Sequence, residues 1–242
     1  MPTDWGFAMQ DILKLMQERQ SARWPFDPQK PIAEADLQQI LEAGRWAPTA
    51  HNMQNFQIVV VDDRKLLEAI ANIRNPVSTV FVDENYEQLS FSEEELLRRK
   101  TGVLGAMFPP SWRLPKAQRT AALLEGEASR PMPACPVLLL VLYDPTRRAP
   151  ASEGDFLGII SLGCMTENMW LAANALGIGF HVVSSLAAGP SAQEVRRLLD
   201  IPAPFELVFG VRLGYPAAAP GRYLRVRRDL DDFTHRNRFG SH

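Results

Sequence analysis

Cysteine is scarce in this chain of 242 residues, which has only Cys135 and Cys164. Two thiols cannot build a disulfide framework or a thiolate metal cage. Each lies in an apolar segment, so both are predicted to be buried. Neither His51 nor His181 has a carboxylate or a cysteine at the spacing of metal ligands, so we expect no metal site.

A surplus of charge is also missing, because the formal net charge is −2. We therefore predict no nucleic-acid partner and no anionic membrane partner, and any anion must be bound by local groups. The first nine residues lack a basic region followed by an apolar run. No uninterrupted apolar stretch reaches membrane-spanning length, so the expected location is cytoplasmic.

Several catalytic signatures are absent: GxGxxG after a strand, GxxxxGK[ST], GxSxG and HExxH. Their absence argues against a Rossmann dehydrogenase, a P-loop enzyme and a serine hydrolase. Apolar residues make up 46% and charged residues 22% of the chain, which is typical of a globular protein. The length favours one large domain over residues 1–242.

Periodic apolar residues predict two helices near the start of the chain. The first begins at Met9 and ends near residues 19–22. The second surrounds Leu37 to Gly44 and ends ahead of Pro48, because a proline disfavours helical geometry in the residue before it. A further helix is predicted over residues 64–73.

Continuous apolar runs predict four strands, at residues 56–61, 136–143, 180–184 and 206–213. The first of them is rich in β-branched residues, and we expect both of its faces to be covered. Helical patterns separate the strands. This order predicts an α+β fold, an α/β sandwich built on a mixed central sheet flanked by helices.

Three other segments have a distinct character. Residues 155–176 predict a helix that is apolar on nearly every face, which its own sheet and a second subunit would have to cover. Residues 74–132 are irregular and contain several prolines, so we expect an excursion of short helices that forms a flap over a site. Past Pro216 the chain is basic and aperiodic, as expected of an arm packed on a surface.

The segment from Arg19 to Arg23 is a candidate anion site at a junction of helix and loop. It contains two guanidiniums and the hydroxyl of Ser21. Arginine presents a rigid fork of donors that suits phosphate, and serine adds a short neutral donor. The alternative is that both arginines only solvate a helix end and interact with its dipole.

Two further loops could bind a ligand. Residues 47–56 concentrate amides and a hydroxyl directly before a strand, and such groups match the C=O and N–H groups at the edge of a flat heteroaromatic ring. The alternative is ordinary turn chemistry. Ser184 and Ser185 close the third strand, where small side chains and backbone N–H groups could approach a ligand or simply form a loop.

Two separated motifs, RQSARWPFDP and ILEAGRWAPTAHNMQNFQIVVVDD, resemble the opening of the FMN-dependent nitroreductase family. The likeness continues through LGCMTENMWLAANALGIGFHVVSSL, which is similar to the central helix and following strand of that family. It ends in LRVRRDLDDFTHRNRFG, which is similar to the C-terminal segment. The resemblance covers most of the chain, except about residues 74–132.

The resemblance implies FMN as cofactor, held in a homodimer whose flavin sites lie at the interface, with the C-terminal arm exchanged between subunits. The residues implied to contact the phosphate, the ribityl chain or the ring edge are Arg19, Ser21 and Arg23, with Gln20 nearby in the cofactor site. Arg225 and Arg227 would complete the phosphate clamp. The amide loop would reach the partner's flavin through Pro48, Thr49, Asn52 and Gln54. Ser184 and Ser185 match positions beside flavin N5.

The activity implied by the resemblance is a ping-pong NAD(P)H oxidoreductase. NAD(P)H would give hydride to flavin N5, leave, and be replaced by a nitroaromatic, a quinone or a similar electron-poor acceptor. Two alternatives stay open. One keeps the fold and the flavin but changes the reaction to reductive dehalogenation, ring oxidation or flavin fragmentation. The other is a non-catalytic flavin-binding module.

Overall fold

The computed structural model describes residues 9–73, 79–108, 110–118, 134–150, 153–219 and 224–241. The chain divides into two compact units. The first comprises residues 1–73 and 131–220, and the second comprises residues 74–130 and 221–242. The second unit therefore contains nearly all of the predicted excursion together with the basic arm. A single domain over the whole chain stays a prediction.

A four-stranded sheet forms the centre of the first unit. Its strands are β1 (Phe56–Val61), β4 (Val137–Tyr143), β5 (Gly179–Val183) and β6 (Glu206–Gly214). They lie in the order β1-β4-β6-β5 with antiparallel pairing throughout. A parallel pairing exists at the isolated bridge between Ser21 and Phe180, on the outer side of β5. All four strands were predicted, with bounds that differ by one residue at most.

One expectation about the sheet is wrong. Strand β1 was predicted to be covered on both faces, yet it lies at the edge of the sheet and only Val61 within it is buried. Strand β4 is the one buried along its whole length; it has a partner strand on each side and side chains in both cores. A run of β-branched residues indicates a strand, but it does not tell how many neighbours that strand has.

Helices cover both faces of the sheet and create two cores. They are α2 (Glu34–Arg45), α3 (Arg64–Ala71), α6 (Phe156–Ala175) and α7 (Gly189–Leu198). A further helix, α1 (Met9–Glu18), has no buried residue and belongs to neither core. One core joins α2 and α6 to the sheet, and the other joins α3 and α7 to the opposite face. Along β4, Leu138 and Leu140 face the second core while Leu139 and Val141 face the first. The α/β sandwich is confirmed.

The burial of helix α6 changes along its length. Its buried residues, including Met165 and Met169, face the sheet. Its first turns carry Phe156, which is 69% exposed, together with exposed Ile159 and Ile160. By length and composition alone α6 could cross a membrane, but polar residues interrupt it and its buried residues pack in the core, as those of a core helix do. Cys164 on this helix is half-buried, contrary to the prediction, whereas Cys135 is buried.

The second unit has short elements, as predicted for the excursion. Its described residues include the helices α4 (Thr79–Val82) and α5 (Glu93–Arg99) and the strands β2 (Ser90–Phe91) and β3 (Val103–Leu104), which pair in parallel. Four aromatic rings form a cluster: Phe81, Tyr86, Phe108 and Trp112. Residues 224–241 are largely irregular, and Lys100 forms an ion pair with Asp229. Residues 74–78, 109, 119–133 and 220–223 lie outside the described part of these segments.

Gly179 allows the segment after α1 to pack closely on β5. A Cβ atom there would lie 2.7 Å from Cε1 of Phe26, 2.9 Å from Cβ of Ala22 and 2.9 Å from the carbonyl oxygen of Gly214. Since one of these atoms belongs to the backbone of β6, the strain cannot be relieved by a side-chain rotation. Close packing at this glycine therefore fixes the segment that contains the two candidate arginines.

We predict that Gly179→Ala lowers the free energy of unfolding by about 1–3 kcal/mol, the usual cost of overpacking a core. Urea unfolding followed by circular dichroism measures this change, provided that the transition is reversible. An unfolding free energy within about 0.5 kcal/mol of the wild-type value would show that the segment is not held as tightly as these distances indicate.

Candidate active site

The segment from Arg19 to Arg23 leaves helix α1 and runs beside the outer strand of the sheet. The backbone N–H of Arg19 still donates to the carbonyl of Leu15 (3.0 Å), which continues the helical turn. Ser21 then forms the parallel bridge to Phe180, and the N–H of Ala22 donates to the Phe180 carbonyl (2.9 Å). The bridge changes the segment from helix to extended chain and fixes it against β5.

Helix α6 holds the guanidinium of Arg19 on two sides. Its Cζ atom lies 4.3 Å from the centroid of the Trp170 ring. Its Nε atom lies 3.0 Å from Oε1 of Glu167, although the N–H is not directed at that oxygen, so the contact is an ion pair rather than a hydrogen bond. The side chain is only 19% exposed. A cation so shielded from water interacts more strongly with an anion than an exposed one does.

The neighbouring residues of the segment have different surroundings. The carbonyl of Gln20 accepts a hydrogen bond from Nε1 of Trp170 (3.2 Å). Trp170 therefore positions both the backbone at Gln20 and the side chain of Arg19. Ser21 is half-buried and Arg23 is exposed. The charge of Arg23 is close enough to His181 to help lower the pKa of that imidazole.

A pair formed by buried Arg212 and half-buried His181 lies on the adjacent strands β6 and β5. Arg212 is completely buried, and it donates from Nη1 to Nδ1 of His181 (3.0 Å) and from Nη2 to the carbonyl of Ala134 (2.8 Å). Because a guanidinium can only donate, Nδ1 must accept, so the proton of neutral His181 is on Nε2. Burial, then Arg212 and then Arg23 lower the pKa of His181 to about 3. Burial raises the pKa of the nearby Cys135 thiol to about 11.

The amide loop, residues 47–56, has an unusual backbone. His51, Asn52 and Gln54 have φ values of 51°, 53° and 45°, in the left-handed region. Within the loop, Nε2 of Gln54 donates to Oδ1 of Asn52 (3.0 Å), and the N–H of Gln54 donates to Oγ1 of Thr49 (3.3 Å). The loop thus contains the local hydrogen bonds that are typical of turns. Strained backbone that is retained in an exposed polar loop is nevertheless a feature of binding sites.

The remaining candidates lie in two places. Ser184 is exposed and Ser185 half-buried, and both belong to a short turn of 3-10 helix, Ser184–Ala187, directly after β5. The third strand therefore ends one residue before the predicted Ser184. Pro48 is exposed at the start of the amide loop. Arg225 and Arg227 are exposed in the second unit, where Arg227 donates to the carbonyl of Val226 (2.7 Å).

The family is decided by comparison with known proteins. The nitroreductase family model matches residues 16–215, which is most of the chain. The chain belongs to the nitroreductase family. This confirms the resemblance found in the motifs, and the match includes residues 19–23, the amide loop and the turn after β5.

The known proteins that this chain resembles are distant from it in sequence. An NADPH-dependent oxidoreductase of Staphylococcus aureus (strain USA300) is 24% identical over 210 residues, which are 87% of this chain and 67% of that protein. A nitroreductase with bound FMN from Desulfitobacterium hafniense DCB-2 is 22% identical with a TM-score of 0.58, over 94% of this chain and 99% of that one.

A third relative, an NADPH:FMN oxidoreductase of Vibrio harveyi complexed with NAD+, has a TM-score of 0.57 and 20% identity. That match covers 94% of this chain and 77% of the Vibrio chain. These structural likenesses establish the nitroreductase fold.

Two residues that contact Arg19 were not found by sequence reasoning. Glu167 and Trp170 lie in α6, about 150 positions further along the chain than their partners. One signal was available, because Glu167 is the single charged residue in the 20 residues of α6. A lone carboxylate in an apolar helix indicates a buried or half-buried partner.

Proposed function

We propose that this protein is an FMN-dependent NAD(P)H oxidoreductase whose acceptors are nitroaromatics, quinones or similar electron-poor compounds. The observation that carries the proposal is the geometry of residues 19–23. Arg19 is shielded, stacked on Trp170 and attached to the sheet through Ser21. Membership of the nitroreductase family supports the same conclusion.

The residues of the site fit FMN. Arg19, Ser21 and Arg23 offer charged and neutral donors to a phosphate. The amide loop offers Asn52 and Gln54 to the polar edge of a flavin ring. FMN, when bound, supplies a carrier that accepts hydride at N5 from NAD(P)H and passes it to the acceptor in a ping-pong cycle. Within the site, the task of the chain is to hold the phosphate, orient the ring and exclude water.

We propose that the site is completed by a second copy of the chain. Exposed apolar side chains lie on the first half of α6 and on α1, and Trp46 is exposed just before the amide loop. Apolar surface of this extent favours a protein partner. The amide loop would reach the partner's flavin, and Arg225 and Arg227 of the exchanged arm would join the phosphate clamp. A single domain over residues 1–242 and a cytoplasmic location belong to the same proposal.

Anaerobic mixing with NADPH tests the activity. We expect the purified protein to carry an absorbance band at about 450 nm, and NADPH to bleach it at a rate compatible with turnover. Addition of a nitroaromatic or a quinone should restore the band. Bound flavin that neither NADPH nor NADH reduces would contradict the proposal and support the binding module. Reduction without reoxidation by either acceptor would favour the other flavin reactions.

A further inference from the structure

The amide loop needs support, because its backbone is strained. Most residues with a side chain lose roughly 1–2 kcal/mol in the left-handed region, whereas asparagine adopts it more readily. Three left-handed residues occur within four positions, at His51, Asn52 and Gln54. Such a conformation persists only where the surrounding structure holds it.

The hydrogen bonds within the loop cannot supply that support alone. The bonds from Gln54 to Asn52 and Thr49 join exposed groups, for which water competes. They shape the loop but do not fix it relative to the rest of the unit. A contact with a rigid element is required.

Helix α6 provides this contact through Ser161. The backbone N–H of Ala50 donates to Oγ of Ser161 (3.0 Å), and the hydroxyl itself donates to the carbonyl of Leu157 (2.7 Å). The second bond fixes the hydroxyl proton, so that a lone pair of Oγ is directed at the loop. Ser161 is only 3% exposed. Water therefore has little access to this bond, which joins the loop to the longest helix of the fold.

The other end of the loop is held as well. Asn55 is 5% exposed, and its Nδ2 atom donates to the backbone carbonyl of Arg147 (3.0 Å). The backbone carbonyl of Asn55 accepts from the N–H of Asp144 (2.9 Å). The loop is thus attached at both ends, and its middle residues face outward. The hydrogen bond between Ala50 and Ser161 is the one that can be removed without disturbing a strand.

We propose that Ser161 is a positioning residue for the flavin-binding amide loop. It acts through the backbone of Ala50 rather than by touching the ligand. The inference rests on the proposed function, since it assumes that Asn52 and Gln54 meet a flavin. Without the hydroxyl, the loop samples other conformations, and binding must first select the competent one, which weakens the apparent affinity.

The test compares Ser161→Ala with Thr166→Val in the full-length protein. Thr166 is a matched control, because its hydroxyl also donates to a carbonyl four residues earlier in α6 (2.7 Å), at Leu162, but has no bond to the loop. Two quantities are measured for each protein. One is the Kd for FMN, from fluorescence titration of the flavin-free protein. The other is hydrogen exchange of the peptide that covers the loop.

For Ser161→Ala we expect a Kd raised about fivefold to tenfold, as the loss of one hydrogen bond predicts, and faster exchange in the loop. For Thr166→Val we expect no change in either quantity. If the substitutions only destabilised helix α6, the hydrogen-exchange rate of the loop would be the same in the two variants, and no change would be confined to the loop.

The possible failures are distinguishable. A wild-type protein that takes up no FMN overturns the proposed function. A wild-type protein that binds FMN, with the two variants equal in Kd, overturns the role of Ser161 alone. Faster loop exchange in Ser161→Ala with an unchanged Kd also overturns it, because the loop would then be held by Ser161 without serving the flavin.

Discussion

Arg19→Ala is expected to raise the Kd for FMN about 30-fold to 150-fold, because it removes a charge-assisted contact worth about 2–3 kcal/mol. The expected loss is at the upper end for a single side chain, since Arg19 is only 19% exposed and is held in place by Trp170 before any ligand binds. Titration of the flavin-free protein with FMN measures it.

Two further variants separate charge from geometry. Arg19→Lys keeps the charge but loses the planar fork, so we expect an intermediate Kd. Glu167→Gln removes the negative charge beside Arg19 and keeps the shape of the side chain. Because Arg19→Ala also breaks the ion pair with Glu167, this variant shows how much of the change in Kd comes from that ion pair. Thermal unfolding of each variant reports any loss of packing on Trp170. An unchanged FMN affinity in Arg19→Ala would remove this residue from the site.

Acid is expected to destabilise the protein through His181. The pKa of this imidazole is lowered to about 3 in the folded chain, whereas an unfolded histidine titrates near 6.5. Below about pH 6.5 the unfolded chain binds a proton that the folded chain does not, so stability falls as the pH falls and the loss continues to about pH 3. The slope is about 1.4 kcal/mol per pH unit, or about 2 kcal/mol between pH 6.5 and pH 5.

His181→Gln isolates this contribution. The glutamine oxygen can still accept from Arg212, but the side chain does not titrate. Charges near the imidazole are the guanidiniums of Arg212 and Arg23, and Cys135 stays a thiol in this range because its pKa is raised. Urea unfolding from pH 7 to pH 5 should show a flatter pH dependence for the variant. Equal slopes in the two proteins would mean that His181 titrates normally in the folded state.

Local pattern was sufficient for most of the elements. The apolar spacing in residues 9–18 and the β-branched run in residues 56–61 specify a helix and a strand whatever lies around them. The amides of the loop before β1 and the arginines after α1 could be named as candidates for the same reason, since their chemistry is a property of the side chains.

What could not be predicted depends on pairing over long distances. No local signal placed β1 at the edge of the sheet, because strand order is set by all four strands together. The contacts of Arg19 with Glu167 and of Ala50 with Ser161 join residues more than 100 positions apart. The left-handed conformation of His51 was not predicted either, since histidine adopts it more often than most residues but still in a small minority of cases.

The central claim is that residues 19–23 of one chain and the amide loop of the other hold a single FMN. Hybrid dimers test it most directly. One chain carries Arg19→Ala, the other carries Asn52→Ala with Gln54→Ala, and two different affinity tags allow the mixed dimer to be purified. FMN content is then measured at a concentration that leaves both parent homodimers nearly empty.

If residues 19–23 of one chain meet the amide loop of the other, the hybrid contains two different sites. One site combines Arg19→Ala with the substituted amide loop, and the other contains only wild-type residues. We predict about one FMN per hybrid dimer, against almost none in either parent. A hybrid as empty as its parents would place both groups of one site on the same chain and would contradict the account.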